Sequence, residues 1–320
     1  MNEQPLFQPP WNFFGLSKEL SDPARARAWV LPIPYESTTS YGAGTRNGPA
    51  AIIAASRQIE RFDRELDCEP SAEVGIHTME SMAPVRRSPD AMVEAIEAAV
   101  TQVWTGSPAP SLLAVLGGEH TISPGVVRGL VRALSPSDLV AVQVDAHADL
   151  RDSFEGSAYS HGCAARRILE VCPLFQIGIR SLCAEEEQFR RTSDRVRTVF
   201  AEEITQGRAF LGDLAEFVRG KTVYLTIDLD GLDPSIMPAV GTPEPEGLSW
   251  PGVLDVVRTV CRHCAALPAF DVVELAPISA IPGPDFLAAK LVYKIISLVL
   301  VGRAGPKGTG TFFGPKRAEK

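Results

Sequence analysis

The sequence predicts an α/β protein: a single three-layer α/β/α domain with a mainly parallel central sheet. Three observations carry this. Short apolar runs that read as strands alternate along the chain with stretches of helical periodicity. Most of those runs are apolar at every position, the mark of strands covered by helices on both faces. No repeat of fixed period and no linker divides the 320 residues, a length that could otherwise hold two average domains.

Residues 1–26 read as an irregular extension with Pro5, Pro9, Pro10, Trp11, Phe13 and Phe14, suited to clamp onto its own domain or a neighbouring subunit. The domain is expected to span 27–302. Its first strand is 28–33, followed by a Thr/Ser/Gly-rich loop, 36–48, and a helix from about Pro49 through 55. Proline is tolerated in a first helical turn, where its missing N–H has no intrahelical partner to lose. A short strand is possible at 74–77. Residues 90–104 place Met92, Ile96, Ala99 and Val103 at helical spacing after Ser88-Pro89.

The alternation then becomes regular. Strands at 112–116 and 139–144 precede helices at about 124–134 and 161–169; a strand at 175–179 precedes a helix at 184–191. A strand at 196–200 leads to a helix around 210–218, and a strand at 222–227 runs into the acidic, proline-rich loop 228–248. Ser249-Trp250-Pro251 opens a helix ending near 265; a strand at 270–274 and a helix at 286–300 complete the domain. Residues 303–320, rich in Gly, Lys and Pro, read as a flexible tail.

Composition narrows the function. A net charge of −8 argues against a nucleic-acid partner, which needs a basic face. Six cysteines at irregular positions are no disulfide framework. Cys261 and Cys264 form a CxxC without a second pair to complete a zinc site, and they fall within a helical pattern. No apolar run is long enough to cross a membrane and the N-terminus does not read as a signal peptide, so a cytoplasmic protein is expected.

The chemistry gathers where strands end. After the run 139–144 come Asp145, His147 and Asp149 at alternating positions, which in extended backbone share one face. The strand 222–227 ends in Asp228-Leu229-Asp230, and the strand 112–116 ends in Gly117-Gly118-Glu119-His120. In a parallel sheet ligands bind at the carboxyl ends of strands. Carboxylate and imidazole donors suit a divalent metal of intermediate hardness. Four carboxylates drawn together repel unless cations neutralise them, which favours two metals over one. Two such ions sit ~3.5–4 Å apart and acidify a water held between them, so hydrolysis is the expected reaction.

These residues also carry a resemblance. GGEHTISPG (117–125), DAHADLRD (145–152), SHGC (160–163) and DLDGLDPSIMPAVGTPEP (228–245) resemble the signatures of the arginase and agmatinase ureohydrolases. The likeness continues in PYESTTSYGAGTRNGPAAI (34–52) and VVELAP (272–277) and covers most of the chain. It implies an arginase-like fold, a centre of two manganese ions, a guanidino substrate and a trimer or hexamer. His120 and His147 would each be a terminal ligand to one ion, Asp145 and Asp228 would bridge, and Asp149 and Asp230 would complete the shells. His161 matches the family's proton-shuttling histidine, and Glu274 the carboxylate that clamps the guanidinium. The chain departs from the pattern at Glu246, where the family usually has a second glycine, at Met237-Pro238-Ala239, and in 278–284, which lacks a usual Asp.

For the substrate, the loop after the metal motif lacks the Asn that in arginase-like enzymes receives an α-amino-acid head group, and it resembles the agmatinase branch. Asp152 and Glu155 would form an acidic rim that attracts the ammonium of agmatine and disfavours the carboxylate of arginine. Hydrolysis of agmatine to putrescine and urea is therefore expected. The alternatives are the same reaction on guanidinobutyrate, arginine or formiminoglutamate, or a non-catalytic polyamine- or metal-binding role.

Overall fold

Residues 9–302 are described in the computed structural model. Eight strands lie among them: β1 (Ala28–Ile33), β2 (Ile76–Thr78), β3 (Leu112–Gly117), β4 (Leu139–Val144), β5 (Leu174–Ile179), β6 (Val196–Phe200), β7 (Thr222–Asp228) and β8 (Ala266–Val273). They form one sheet in the order β2-β1-β3-β8-β7-β4-β5-β6, and every neighbouring pair is parallel. The helices that connect them are α1 (Lys18–Ser21), α2 (Gly48–Ser56), α3 (Pro70–Val74), α4 (Pro89–Thr105), α5 (Ser123–Leu134), α6 (Ala164–Leu169), α7 (Ala184–Thr192), α8 (Ala201–Thr205), α9 (Leu211–Val218), α10 (Trp250–His263) and α11 (Gly283–Leu300).

The period of the strand explains the three layers. Leu112, Ala114 and Leu116 of β3 point into a core shared with α2, α9, α10 and α11, while Leu113 and Val115 point into a second core with α4, α5 and α6. β4 divides the same way, with Val140, Val142 and Val144 on one side and Leu139 and Ala141 on the other. Both faces are dry, so each fully buried Leu, Ile or Val contributes roughly 1.5–3 kcal/mol. That is why these strands read as continuous apolar runs.

The chain order positions the site. β1 to β3 fill one side of the sheet, and β4 then starts three positions away from β3, leaving room for two strands. β7 and β8 later occupy that gap, so the carboxyl ends of β3, β8, β7 and β4 lie side by side.

Most predicted elements stand within a residue or two of expectation, and the differences have local causes. β8 begins at Ala266 rather than 270 because Pro268, which cannot donate to a ladder, sits where the pairing with β7 slips between Thr222 and Tyr224. α8, which the pattern did not announce, is a five-residue turn capped by Glu203, whose carboxylate accepts the Phe200 N–H at 2.9 Å. α3 is a second short helix of this kind. The expected helix at 161–169 begins as a 3-10 turn, His161–Cys163, before α6. In the extension, the 3-10 turn Phe13–Gly15 buries Phe13 and sets Phe14 edge-on to Tyr293 of α11 at 4.4 Å. Cys261 lies in α10 and Cys264 caps it, both buried. The expected tail, 303–320, and residues 1–8 fall outside the described residues.

Glu246 is exposed and has a φ of 65°. A side chain in that region costs ~1–2 kcal/mol, against ~0.5–1 kcal/mol for the extra freedom of glycine in the unfolded chain. Glu246→Gly is expected to stabilise the fold by about 0.5–1 kcal/mol. A chemical denaturation midpoint at or below that of the parent would contradict this.

Candidate metal centre

The turn after β3 depends on Gly118. A Cβ there would meet the Tyr35 carbonyl oxygen at 1.9 Å, so only glycine lets the ends of β1 and β3 interlock. Gly118 N–H donates to Ile33 and Glu119 N–H to Tyr35, each at 2.9 Å. That lock sets His120 at the mouth of α5. Beyond β4, Asp145 accepts the His147 N–H at 2.6 Å and the Gln143 amide at 2.6 Å. Beyond β7, Asp228 accepts the Asp230 N–H at 2.9 Å, and Asp230 accepts the Ala146 N–H at 3.0 Å.

Same-face alternation is only part of how the side chains converge. Asp149 has a φ of 51°, so extended backbone does not continue to it; the left-handed kink turns its carboxylate back to His120. Asp230 lies in the 3-10 turn Leu229–Gly231 rather than on a strand face, and it serves a different neighbour from Asp228.

Two donor groups result. His120 Nδ1 faces Asp145 Oδ2 at 3.1 Å, Asp149 Oδ2 at 3.2 Å and Asp228 Oδ2 at 3.2 Å. His147 Nδ1 faces Asp230 Oδ2 at 2.9 Å and Asp145 Oδ1 at 3.8 Å. His120, Asp145 and Asp149 can converge on one ion, as can Asp145, His147 and Asp230; Asp145 belongs to both groups and turns one oxygen to each.

The donor set fits two divalent cations. His120 Nε2 is 2.9 Å from the Thr226 hydroxyl, while its buried Nδ1 has no hydrogen-bond partner although three carboxylates surround it. An orphaned imidazole nitrogen among acidic oxygens is what a metal ligand looks like before the metal is added. Electrostatics agree. Burial, with the charges of Asp230 and Asp149, pushes Asp145 up to about 7. Burial and Asp230 also push Asp228 well above the usual carboxylate range. Burial opposes a charge on His147, yet Asp230 wins and raises it to about 10; His120 is likewise raised by its three carboxylates against burial. Asp230, despite burial, is lowered to about 2 by His147. Protons therefore stand where cations would, and a metal must displace them.

A cavity of about 220 Å³ opens over these groups, lined also by Ser40, Arg151, Phe154, His161, Glu186 and Glu274. Glu274, just past β8, is buried with a φ of 66° and accepts the His120 N–H at 2.6 Å. Burial, with Glu119 beside it, pushes its carboxyl well above the usual range. His161 meets the Thr38 hydroxyl at 3.2 Å and the edge of Phe154 at 5.9 Å.

Asp152 and Glu155 are not brought to this cavity. Asp152 is exposed and bound to Arg167 at 2.6 Å, because α6 presents that arginine to the loop; Glu155 is exposed at a turn with a φ of 48°. The rim beside His161 is set instead by Arg151, stacked over Phe154 at 4.6 Å and 3.7 Å from Glu186. Sequence reasoning missed Arg151, Glu186, Thr226 and Arg180, which ties the 228–248 loop through Asp230 O (2.7 Å) and Glu244 O (2.9 Å). A polar residue within an apolar strand, as Thr226 is, was the available signal.

Comparison with known proteins points the same way. A family model described as the arginase family matches residues 26–297. The N(1)-aminopropylagmatine ureohydrolase of Synechocystis sp. is 38% identical over 286 residues, covering 88% of this chain and 91% of the relative. The agmatinase of Pyrococcus horikoshii is 33% identical, covering 84% and 90%. The crystal structure of agmatine ureohydrolase of Thermoplasma volcanium superposes with a TM-score of 0.77 at 28% identity, covering 92% of this chain and 95% of that one.

Two predictions follow from the shared position of Asp145 and from the displaced protons. Asp145→Ala is expected to bind fewer than two manganese equivalents; two full equivalents on metal analysis would contradict the bridging position. In the parent, manganese affinity is expected to fall as pH falls from about 10, since His147 and His120 must lose protons to bind. Calorimetry in buffers of different ionisation enthalpy checks this: net proton release is expected, and pH-independent binding without release would contradict it.

Proposed function

This chain belongs to the arginase family as an agmatinase-like ureohydrolase, and from that premise we propose that it hydrolyses the guanidino group of agmatine, giving putrescine and urea. The observation that carries the reading is one cavity lined at once by both acidic donor groups, by His161 and by Glu274. His120 and Asp149 would hold one manganese ion, His147 and Asp230 the other, and Asp145 would be shared; Asp228, expected to bridge as well, turns Oδ2 to His120 while its Oδ1 accepts the Asp230 N–H, so it would serve the first ion. When bound, the pair would lower the pKa of water towards neutrality.

The chain's own residues do the rest. Glu274 has one carboxylate oxygen committed to the His120 N–H, so the other is the one offered to the substrate. A guanidinium is planar and presents paired N–H donors, so a carboxylate fixed at one edge orients its carbon. The strained backbone at Glu274 and the ladder into Gly118 hold that carboxylate still. His161 sits beside the same space and would take a proton from the attacking water, then pass one to the leaving amine. Phe154 and Leu182 give the cavity an apolar stretch of wall.

A second reading, N(1)-aminopropylagmatine as the substrate, is favoured by the Synechocystis relative. Asp152 and Glu155, expected to form an acidic rim, are exposed and outside the cavity lining, which supports a reading in which a longer amine end extends past them. Both readings keep the guanidino chemistry and a chain that ends in an ammonium group. A trimer or hexamer is the assembly that the family resemblance favours.

Urea release from agmatine, N(1)-aminopropylagmatine, guanidinobutyrate and arginine, with manganese present, separates the readings. One of the two amines is expected to exceed arginine at least tenfold in kcat/KM; arginine as the best substrate would contradict the proposal. His161→Asn is expected to keep its metals while turnover falls by ~10²–10⁴-fold. Unchanged turnover in a metal-replete variant would remove His161 from the reaction.

A further inference from the structure

Glu119 has no part in the reaction as described, yet it is fully buried beside His120, and its carboxylate reaches away from the metal groups. One oxygen accepts the N–H of Ser37 at 2.7 Å and of Thr38 at 2.8 Å; the other accepts the Thr38 hydroxyl at 2.8 Å. Thr38 in turn touches His161 twice, accepting its backbone N–H at 2.9 Å and meeting Nδ1 at 3.2 Å. We propose that Glu119 and Thr38 are positioning residues that hold His161 in the tautomer protonated at Nδ1, leaving Nε2 to accept a proton in the cavity. The inference rests on His161 as the proton carrier.

Hydrogen counting makes the argument. A carboxylate offers lone pairs only, and a threonine hydroxyl has one hydrogen. At 2.8 Å that hydrogen belongs to Glu119, so the Thr38 oxygen can only accept from His161. It accepts the backbone N–H, which has no other option, and then the ring at Nδ1, which must carry a hydrogen to bond it. Ser160 lies 3.3 Å from Nδ1 and Thr121 lies 3.3 Å from the Thr38 oxygen, but each hydroxyl can rotate to suit either tautomer and so decides nothing. Nε2 has Ser40 at 3.4 Å, and Ser40 and His161 both line the cavity. The arrangement is a carboxylate acting on an imidazole through a hydroxyl. It also ties the loop 36–48 to the β3 exit, so the residue next to His120 sets the proton state of His161.

Glu119→Gln reverses the count. Its carbonyl oxygen is needed by the two backbone N–H groups, which puts the amide NH₂ towards Thr38 as a donor. The Thr38 hydrogen then turns to His161 Nδ1, and the ring proton moves to Nε2. The experiment is nitrogen-15 spectroscopy of the five histidines, labelled in the full chain and loaded with magnesium to avoid paramagnetic broadening, with His161→Asn assigning the signal. The parent is expected to show a neutral Nδ1–H ring, Glu119→Gln an Nε2–H ring with kcat lowered ~10²-fold, little change in KM and an unchanged metal content. Thr38→Val should lose the preference and Thr38→Ser should restore it, with most of the turnover. An Nε2–H ring in the parent, or an Nδ1–H ring retained in Glu119→Gln, would overturn the relay. If the tautomer switches while His161→Asn retains parental turnover, the relay stands and the catalytic reading of His161 fails instead.

Discussion

Repulsion between buried carboxylates is the constraint on which this structure turns. Asp145, Asp149, Asp228 and Asp230 are all nearly inaccessible, and two imidazoles stand among them. In an apolar interior such a cluster is costly unless positive charge is supplied. Without a metal the protein meets the demand with protons, which is why Asp145 and both histidines bind them more tightly than their ordinary values imply. Cations can take the same places with better geometry, since Asp145 presents one oxygen to each side.

The fold makes that cost bearable by putting rigid elements behind each charge. The ends of β3, β7 and β4 supply the donors, β8 between them carries Glu274, and backbone amides at 146, 147 and 230 pin the carboxylates. Backbone strain falls on two of these residues as well, with positive φ at Asp149 and Glu274. Arg180 and the Gly42–Gly241 approach, where a Cβ would meet a carbonyl at 2.7 Å, hold the flanking loops against the centre. The cavity is thus framed by loops that are hydrogen-bonded to the segments carrying the donors.

Much of this was legible in the chain. The sheet announced itself because its strands are dry on both faces, and the candidate donors announced themselves because six Asp and His residues gather at the ends of three such runs, where one alone would read as a turn or cap residue. Elements set by a single tertiary event were harder to see. The early start of β8 depends on a register slip that accommodates Pro268, and the path of Asp149 on a left-handed residue that no spacing rule anticipates. The residues that line the mouth of the cavity were least legible. Asp152 and Glu155 lie in the right loop, yet one is claimed by Arg167 and the other turns to solvent, whereas Arg151 in the same loop faces the cavity. Glu119 was visible only as part of a motif, because its partners at Ser37 and Thr38 are some eighty positions away.

The central claim, two cations sharing Asp145, is tested most directly by anomalous diffraction from crystals of the manganese-loaded protein. The account predicts two peaks ~3.5–4 Å apart, one among His120, Asp145, Asp149 and Asp228 and the other among His147, Asp145 and Asp230. A single peak, or a pair that leaves the Asp145 carboxylate uncoordinated, would contradict it.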